Sequence, residues 1–579
     1  MADPRDPAPG TDASDGNAPL PADPTRTTSS TPGGGLGAVF TRRWAAELVL
    51  DLAGYTPDKD LAAKRATEPS CGTGAFLIPM IERLAASCQA HGTELRNASH
   101  AIRAWDLNPV AVTHARATVR HTLRQHHVPT RYAARLAREW VRQGDFLLVQ
   151  CEPTDWVLGN PPYVRIEDVP PDRSTAYRER WPTMQGRADV YVGFLEAALE
   201  ALNPAGVVAF ICADRWMRNQ YGKPIRRIIE ERFAVDAMVT LHDSDAFENR
   251  VNAYPAIFTI RAGKQGPALV VDADASFSQT GATAVAHQYT AGPNDTPTTT
   301  TGSGYTAAWT PRWFTTSESW PTGPAHRLAL VAELERRHPA LSDPQSGIRL
   351  GIGLATGADT VYLTKDTDTV ESDRLLPMVM ASDLTEGKVV WSGTHLVNPW
   401  EETGLINLAA HPRSAAYYAH HETRLRGRHV GKRQPDKWYR TIDRPVTGLA
   451  NTPKLLLPDL RHRVAPVLES QGLYPHHNLF WITSDVWDLR VLGGLLLSDF
   501  GTLFVETYSP RMAGGALRVT SQYLRRIRLP DPESLTARTR GRLAAAFDAR
   551  DVKAATAEAA NAYGVNLTAF DPKPAAATN

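Results

Sequence analysis

Asp155-Trp156-Val157-Leu158-Gly159-Asn160-Pro161-Pro162-Tyr163 reads as a short apolar strand that stops at once in a rigid loop. Trp, Val and Leu in a run, closed by Gly and two Pro, form the pattern of a buried strand. Neither proline can continue a ladder, because neither carries an N–H. At average residue frequencies a given string such as Asn-Pro-Pro-Tyr arises by chance about once in a thousand chains of this length. A plain strand-to-loop turn would need none of its side chains. A site would use each of them. The prolines fix the backbone so that the Asn160 amide oxygen and a carbonyl converge on one point. Two such acceptors can hold both hydrogens of an exocyclic amine and leave its lone pair facing an electrophile. Tyr163 adds an aromatic face on which an extruded base can stack.

Outward from this stretch, apolar strand-like runs alternate with helical ones from Ala66 to about Gly263, the signature of an α/β sheet. VYVGFLEAALEAL (190–202) reads as a helix and GVVAFICA (206–213) as the next strand. Upstream, FTRRWAAELVLDL (40–52) reads as an amphipathic helix with Thr41 at its N-cap. Glu68-Pro69-Ser70-Cys71-Gly72-Thr73-Gly74 precedes a helix expected over 75–87. Gly72 and Gly74 would let a cofactor approach the backbone, and Glu68 can accept from a positively charged amino-acid moiety. There is no GxGxxG, which argues against a pyrophosphate-binding dinucleotide site. AIRAWDLNP (101–109) reads as a strand ending at Asp106. An acidic residue there suits ribose hydroxyls, or alternatively caps the helix that follows. Gly144-Asp145-Phe146 is by itself a turn, in which Asp145 can accept from an adenine amino group and Phe146 can pack against the ring.

The 579 residues allow two to four folding units. Residues 1–36 hold few large apolar side chains and are expected to be a disordered tail. Residues 37–274 make the first unit, and 275–304, rich in Ala, Thr and Gly, is expected to be a linker or insertion. A tryptophan-rich unit over 305–532 and closing helices and a tail over 533–579 complete the division. No run of about 18 apolar residues suggests a membrane span, and the first residues lack the apolar core of a signal peptide. The four cysteines (Cys71, Cys88, Cys151, Cys212) form no CxxC pair, which argues against a structural zinc site or disulfide framework. A cytoplasmic protein with no membrane partner and no metal is expected. The formal net charge of +1 excludes little, since basic residues can gather on one face of a neutral chain.

In order and spacing, these motifs resemble the gamma class of DNA amino-methyltransferases over about residues 40–263. The resemblance implies an α/β, Rossmann-like class I fold that binds S-adenosyl-L-methionine (SAM), followed by a mixed α+β target-recognition domain. It places Thr41, Glu68, Pro69, Cys71, Gly72, Gly74, Asp106, Asp145 and Phe146 around the cofactor, and Asn160, Pro161, Pro162 and Tyr163 around a flipped base. Where that class usually reads Thr-Pro, Thr41 is followed by Arg42. Phe247, in Ala246-Phe247-Glu248, sits where the class supplies a second aromatic for the base, or else is ordinary core. Gly351 to Asp359, Leu376-Pro377, Ala381-Ser382-Asp383, His476-His477-Asn478, the run from Leu495 to Phe500 and Gln522-Tyr523-Leu524 resemble the specificity domain of TaqI-like adenine methyltransferases.

Within that region, 411–444 carries nine basic residues against three acidic ones. Arg424, Arg426, Arg428, Lys432, Arg433 and Lys437 are its candidate contacts to double-stranded DNA, although a charge run is often only a solvated face. The implied activity is site-specific methylation of adenine N6 in a restriction–modification or phage-defence system. Any nuclease is expected on a separate restriction or defence subunit, because nothing before residue 40 reads as a folding unit. N4-cytosine methylation, and RNA or protein-glutamine methylation by Asn-Pro-Pro-Tyr enzymes, stand as alternatives. A cytosine-C5 enzyme would need a nucleophilic cysteine, typically after proline, and no cysteine here has that setting.

Overall fold

The computed structural model describes residues 40–242, 244–248, 254–293, 299–509, 517–567 and 570. The tail expected over 1–36 lies outside them. The apolar runs pair into a ten-stranded sheet in the order β3-β2-β1-β4-β5-β7-β6-β8-β10-β9. The strands are β1 (Ala66–Glu68), β2 (Ile102–Asp106), β3 (Val141–Gln143), β4 (Thr154–Gly159), β5 (Leu202–Ala213), β6 (Phe233–Leu241), β7 (Pro255–Ala262), β8 (Ala268–Ala273), β9 (Thr300–Gly302) and β10 (Tyr305–Thr310). β1 to β5 are mutually parallel, and β7 runs antiparallel between β5 and β6.

The first five strands follow the doubly wound order in which the chain reverses direction between β1 and β4. A crevice opens there at the carboxyl ends of the strands. Glu68 closes β1 and Asn160 directly follows β4, so both sharp motifs land at that reversal.

Helices cover both faces. On one side lie α1 (Arg43–Leu52), α2 (Leu77–Ala90), α3 (Pro109–Gln125), α4 (Thr130–Trp140) and α8 (Gln279–Ala291), all contributing to one core with the inward residues of β1 and β2. On the other lie α6 (Val190–Glu200), α7 (Lys223–Arg232) and the start of α9 (Ala325–Arg337), packed with Trp216, Trp313 and Trp320. The remaining helix, α5 (Pro171–Arg180), contributes Tyr177 to a smaller cluster with Phe146 and Phe194.

Two expectations are corrected. Thr41 does not cap α1: Arg42 holds the N-cap position without a side-chain hydrogen bond. Residues 279–291 are helix and 305–310 are a strand of the first sheet, so the described part of the stretch expected to be a linker or insertion belongs to the first unit. The second unit starts later, on α9, which buries Leu328 in the first unit's core and Leu330, Val331 and Leu334 in the second's.

The second unit has a four-stranded sheet formed by β11 (Ile348–Ile352), Leu479–Ser484, Lys454–Pro458 and Val467–Glu469. Helices Ala537–Asp548 and Val552–Tyr563 pack into this unit against Leu489–Leu497. Across the seam, the Thr322 amide donates to the Thr507 carbonyl (3.0 Å) and Arg526 donates to the Ser319 carbonyl (2.9 Å). Among the described residues no helix is long and apolar enough to cross a membrane.

Candidate active site

β1 ends in a carboxylate that the fold keeps from water. Glu68 is 1% exposed, and its Oε2 has no hydrogen-bond partner among the described residues. Burial, with the Asp106 charge nearby, pushes its carboxyl well above the usual range. The loop that follows turns on Gly72 (φ +52°) and Gly74 (φ +103°), conformations that favour residues without a Cβ. Asp106 fastens this loop to the end of β2: its Oδ2 accepts from the Gly72 amide (2.9 Å) and its Oδ1 from the Asn108 amide (2.8 Å). The helix cap that Asp106 might have supplied comes instead from Asn108, which accepts from Val110 (2.9 Å). Burial raises the Asp106 carboxyl, and the amides that point at it work against that rise. The Cys71 amide donates to the Trp105 carbonyl (2.8 Å), and burial pushes its thiol well up, so it is no nucleophile.

Asp145 is partly engaged already. Its Oδ1 accepts from the Leu147 amide (3.1 Å), its Oδ2 from the Tyr177 hydroxyl (2.6 Å), and Arg173 lies 3.6 Å away. Tyr177 and Arg173, both on α5, carried no signal in the sequence as site residues. Their roles come from a helix laid over Asp145. The Phe146 side chain is 2% exposed and stacks on Phe194 (ring centroids 5.4 Å apart), so it does not present the open ring face expected of it.

At the end of β4, Gly159 has φ +153°, and a Cβ there would lie 3.4 Å from Glu68 Cγ and 3.5 Å from Pro69 Cδ. The two motifs are thus in direct contact. The Asn160 amide nitrogen donates to the Thr41 hydroxyl (3.1 Å). Thr41 in turn pairs in a short antiparallel bridge with Phe247. Arg42 N to Ala246 O and Glu248 N to Phe40 O, both 2.9 Å, extend that bridge, and an Arg42–Asp245 ion pair (2.9 Å) closes it. Thr41 was expected beside the cofactor; here it meets the amide of Asn160. The bridge also sets Phe247 edge-to-face with Tyr163, ring centroids 6.2 Å apart at 85°. The buried Tyr163 hydroxyl has no partner among the described residues, and burial raises its pKa. Pro161 is buried and Pro162 half-buried beside it.

Residues 145–247 match the Eco57I restriction-modification methylase family. Over 547 residues the chain is 41% identical to the Type II methyltransferase M.PaeR7I of Pseudomonas aeruginosa, covering 92% of each protein. It is 40% identical to the Type II methyltransferase M.XhoI of Xanthomonas vasicola, covering 92% of this chain and 97% of that one. The chain belongs to the Type II methyltransferases of restriction–modification systems. Their reaction class, methylation of DNA, is therefore its own. The fold also matches the Type IIL restriction-modification enzyme MmeI, solved in complex with DNA, with a TM-score of 0.53 at 12% identity over 90% of this chain and 74% of that one.

In this Type II methyltransferase the basic segment folds as the helices Pro412–His420, Glu422–Gly427 and His429–Arg433, followed by a turn. Arg424, Arg426, Lys432, Arg433 and Lys437 are exposed. Arg426 pairs with Glu422 (2.6 Å) and lies over the Trp438 ring (4.9 Å). Arg428 is a correction to the expected DNA contacts. Its guanidinium donates to the carbonyls of Thr356 (3.1 Å), Leu425 (3.2 Å), Trp438 (3.0 Å) and Arg440 (2.8 Å), and to the Tyr362 hydroxyl (3.1 Å). It holds the segment together from inside.

Proposed function

We propose that this methyltransferase moves a methyl group from SAM to N6 of an adenine swung out of a DNA duplex, at a short sequence read by the second unit. The observation that carries the reading is the pairing at the β1/β4 reversal. An unpartnered buried carboxylate ends one strand, and an oriented amide with two aromatic rings follows the other. The residues present fit the cofactor. Glu68 Oε2, buried without a donor, is a counterpart for the ammonium of the methionyl group, and the left-handed turn at Gly72 and Gly74 leaves the backbone open to close approach. Asp106 stands at the end of β2, where an acidic residue suits the ribose, and Asp145, in the turn after β3, would take the adenine amino group. When bound, SAM supplies an electrophilic methyl group.

The chain's own part is positioning and electrostatics. The Asn160 oxygen and the Pro161 carbonyl accept the two N6 hydrogens. Because Thr41 takes the Asn160 NH2, the amide keeps one orientation. As N6 gains positive charge, both acceptors interact with it more strongly than in the ground state. Tyr163, only half-buried, can offer a ring face to a base held out of the stack, while Phe247, 5% exposed in the first unit's core, packs edge-on against it. No covalent enzyme intermediate is needed. MmeI, whose fold this chain shares, was solved in complex with DNA, which fits a DNA partner here, and a restriction subunit would be a separate chain.

The test is expression of the protein and of an Asn160→Ala variant in a bacterium without adenine methylation. Nucleoside mass spectrometry and modification-sensitive sequencing should find N6-methyladenine at one motif, absent in the variant. N4-methylcytosine instead would overturn the choice of base.

A further inference from the structure

Four scattered cysteines point to no metal site, yet the fold assembles three other ligand-type side chains in the second unit. Asp359, His476 and His477 bring one carboxylate oxygen and two ring nitrogens within 4.8 Å of one another. His476 Nε2 lies 3.2 Å from Asp359 Oδ2 and 3.0 Å from His477 Nδ1. Neighbouring ligand atoms on a tetrahedral zinc with bonds of about 2.0–2.1 Å are separated by about 3.3 Å. The spacing is therefore that of a coordination sphere. His476 Nδ1 also sits 3.1 Å from Asn478 Oδ1, which fixes the ring.

The surroundings have the form of a metal site's outer layer. Ring nitrogens that face away from a metal are commonly held by a fixed polar partner, as His476 Nδ1 is by Asn478, and ligating carboxylates are themselves held, as Asp359 is by the Thr356 hydroxyl. His476 is buried, whereas the Asp359 side chain is 45% exposed, so the site has a protected inner side and a wet outer position. We propose that Asp359, His476 and His477 bind a zinc-class divalent cation, with water in the fourth position. The cation fastens the glycine loop to the turn that carries both histidines. Two imidazoles and one carboxylate favour zinc over magnesium or calcium, which prefer oxygen alone.

The fastening has a structural purpose visible in the backbone. Leu354 and His476 pair in parallel, and the His477 amide donates to the Leu354 carbonyl (3.1 Å). A Cβ on Gly353 would fall 2.1 Å from the His476 carbonyl oxygen, so the two segments touch through backbone alone. The same loop takes the Ile442 amide on Thr356 (3.3 Å) and gives the Ala355 amide to Asp443 (2.9 Å). A cation here therefore braces the base of the basic segment.

The test uses the full chain, stripped with chelator, then given zinc and desalted. About one zinc per chain is expected by elemental mass spectrometry, bound more than about tenfold more weakly in Asp359→Asn and in His477→Gln. Neither substitution touches the buried ring. At one zinc concentration, the rise in Tm over the chelator-treated protein should be larger for the wild type than for either variant. Absence of saturable zinc, or uptake and Tm gain unchanged in both variants, overturns the proposal. Zinc content is read on the protein alone, so the outcome does not depend on which base is methylated.

Discussion

Glu68 shows how a single residue can carry a cost that only a ligand removes. Below the ordinary carboxylate range it is protonated folded and unfolded alike. Above that range the unfolded chain releases the proton while the folded chain, whose carboxyl is raised by burial, keeps it. The unfolded state then binds fewer protons, so stability falls as pH rises toward the folded value. Glu68→Gln removes this dependence. Thermal unfolding of the ligand-free protein between about pH 5 and 8 should show the variant gaining on the wild type as pH rises. SAM affinity by calorimetry should fall by more than about tenfold, the scale of a lost charge-assisted contact. Equal SAM affinity in the two proteins would remove Glu68 from the cofactor's site. Thr41→Val separates two roles for its hydroxyl. If that hydroxyl orients Asn160, kcat drops about five- to tenfold, as for one hydrogen bond, with SAM affinity unchanged. If it contacts the cofactor, the loss appears in SAM binding instead.

At the scale of elements, the strand ends are legible in the sequence: strand-like runs stop at Asp106 and just before Asn160, Glu68 stands ahead of a Gly-Thr-Gly turn, and a parallel sheet delivers all three to one edge. The sequence was not legible where the partner is far along the chain. Thr41 meets Phe247 through a bridge spanning some two hundred residues, and no local pattern marks that pairing. Asp359 and the two histidines likewise come together only in the fold. The stretch over 279–291 failed for a different reason. Its buried residues are Gly281, Ala282, Val285 and Ala286, small side chains that let a helix lie close on its neighbours. A Cβ on Gly281 would fall 2.7 Å from the Phe277 ring. Close packing of small residues looks like a linker when only large apolar residues are counted.

The bridge between 40–42 and 246–248 makes a further prediction at this scale. Phe247→Leu keeps apolar volume against Thr41 but removes the ring that faces Tyr163. Stacking on an aromatic is worth about 1–3 kcal/mol per base, so kcat/KM should fall about five- to a hundredfold. Binding to a duplex with an abasic site at the target should be unaltered, since no base remains to be stacked. A variant with full activity would return Phe247 to the ordinary core.

For the whole molecule, net charge is silent about DNA, and the decision falls to how basic residues are placed on the second unit. Arg428 is spent inside, holding five acceptors, while Arg424, Lys432, Arg433 and Lys437 face solvent on the same short helices and turn. If those four track phosphates, each releases counterions on binding, and replacing all four with alanine should flatten the slope of log K against log salt by about 3–4. SAM affinity should not change, because all four belong to the second unit and face solvent. Arg428→Ala should behave differently, lowering Tm before any effect on DNA can be measured, since it removes the hydrogen bonds that tie these helices to Thr356, Tyr362, Trp438 and Arg440. Fluorescence anisotropy on a cognate duplex across a salt series distinguishes the two cases. An unaltered slope in the quadruple variant would make the segment a solvated face and move duplex binding to another surface of the second unit.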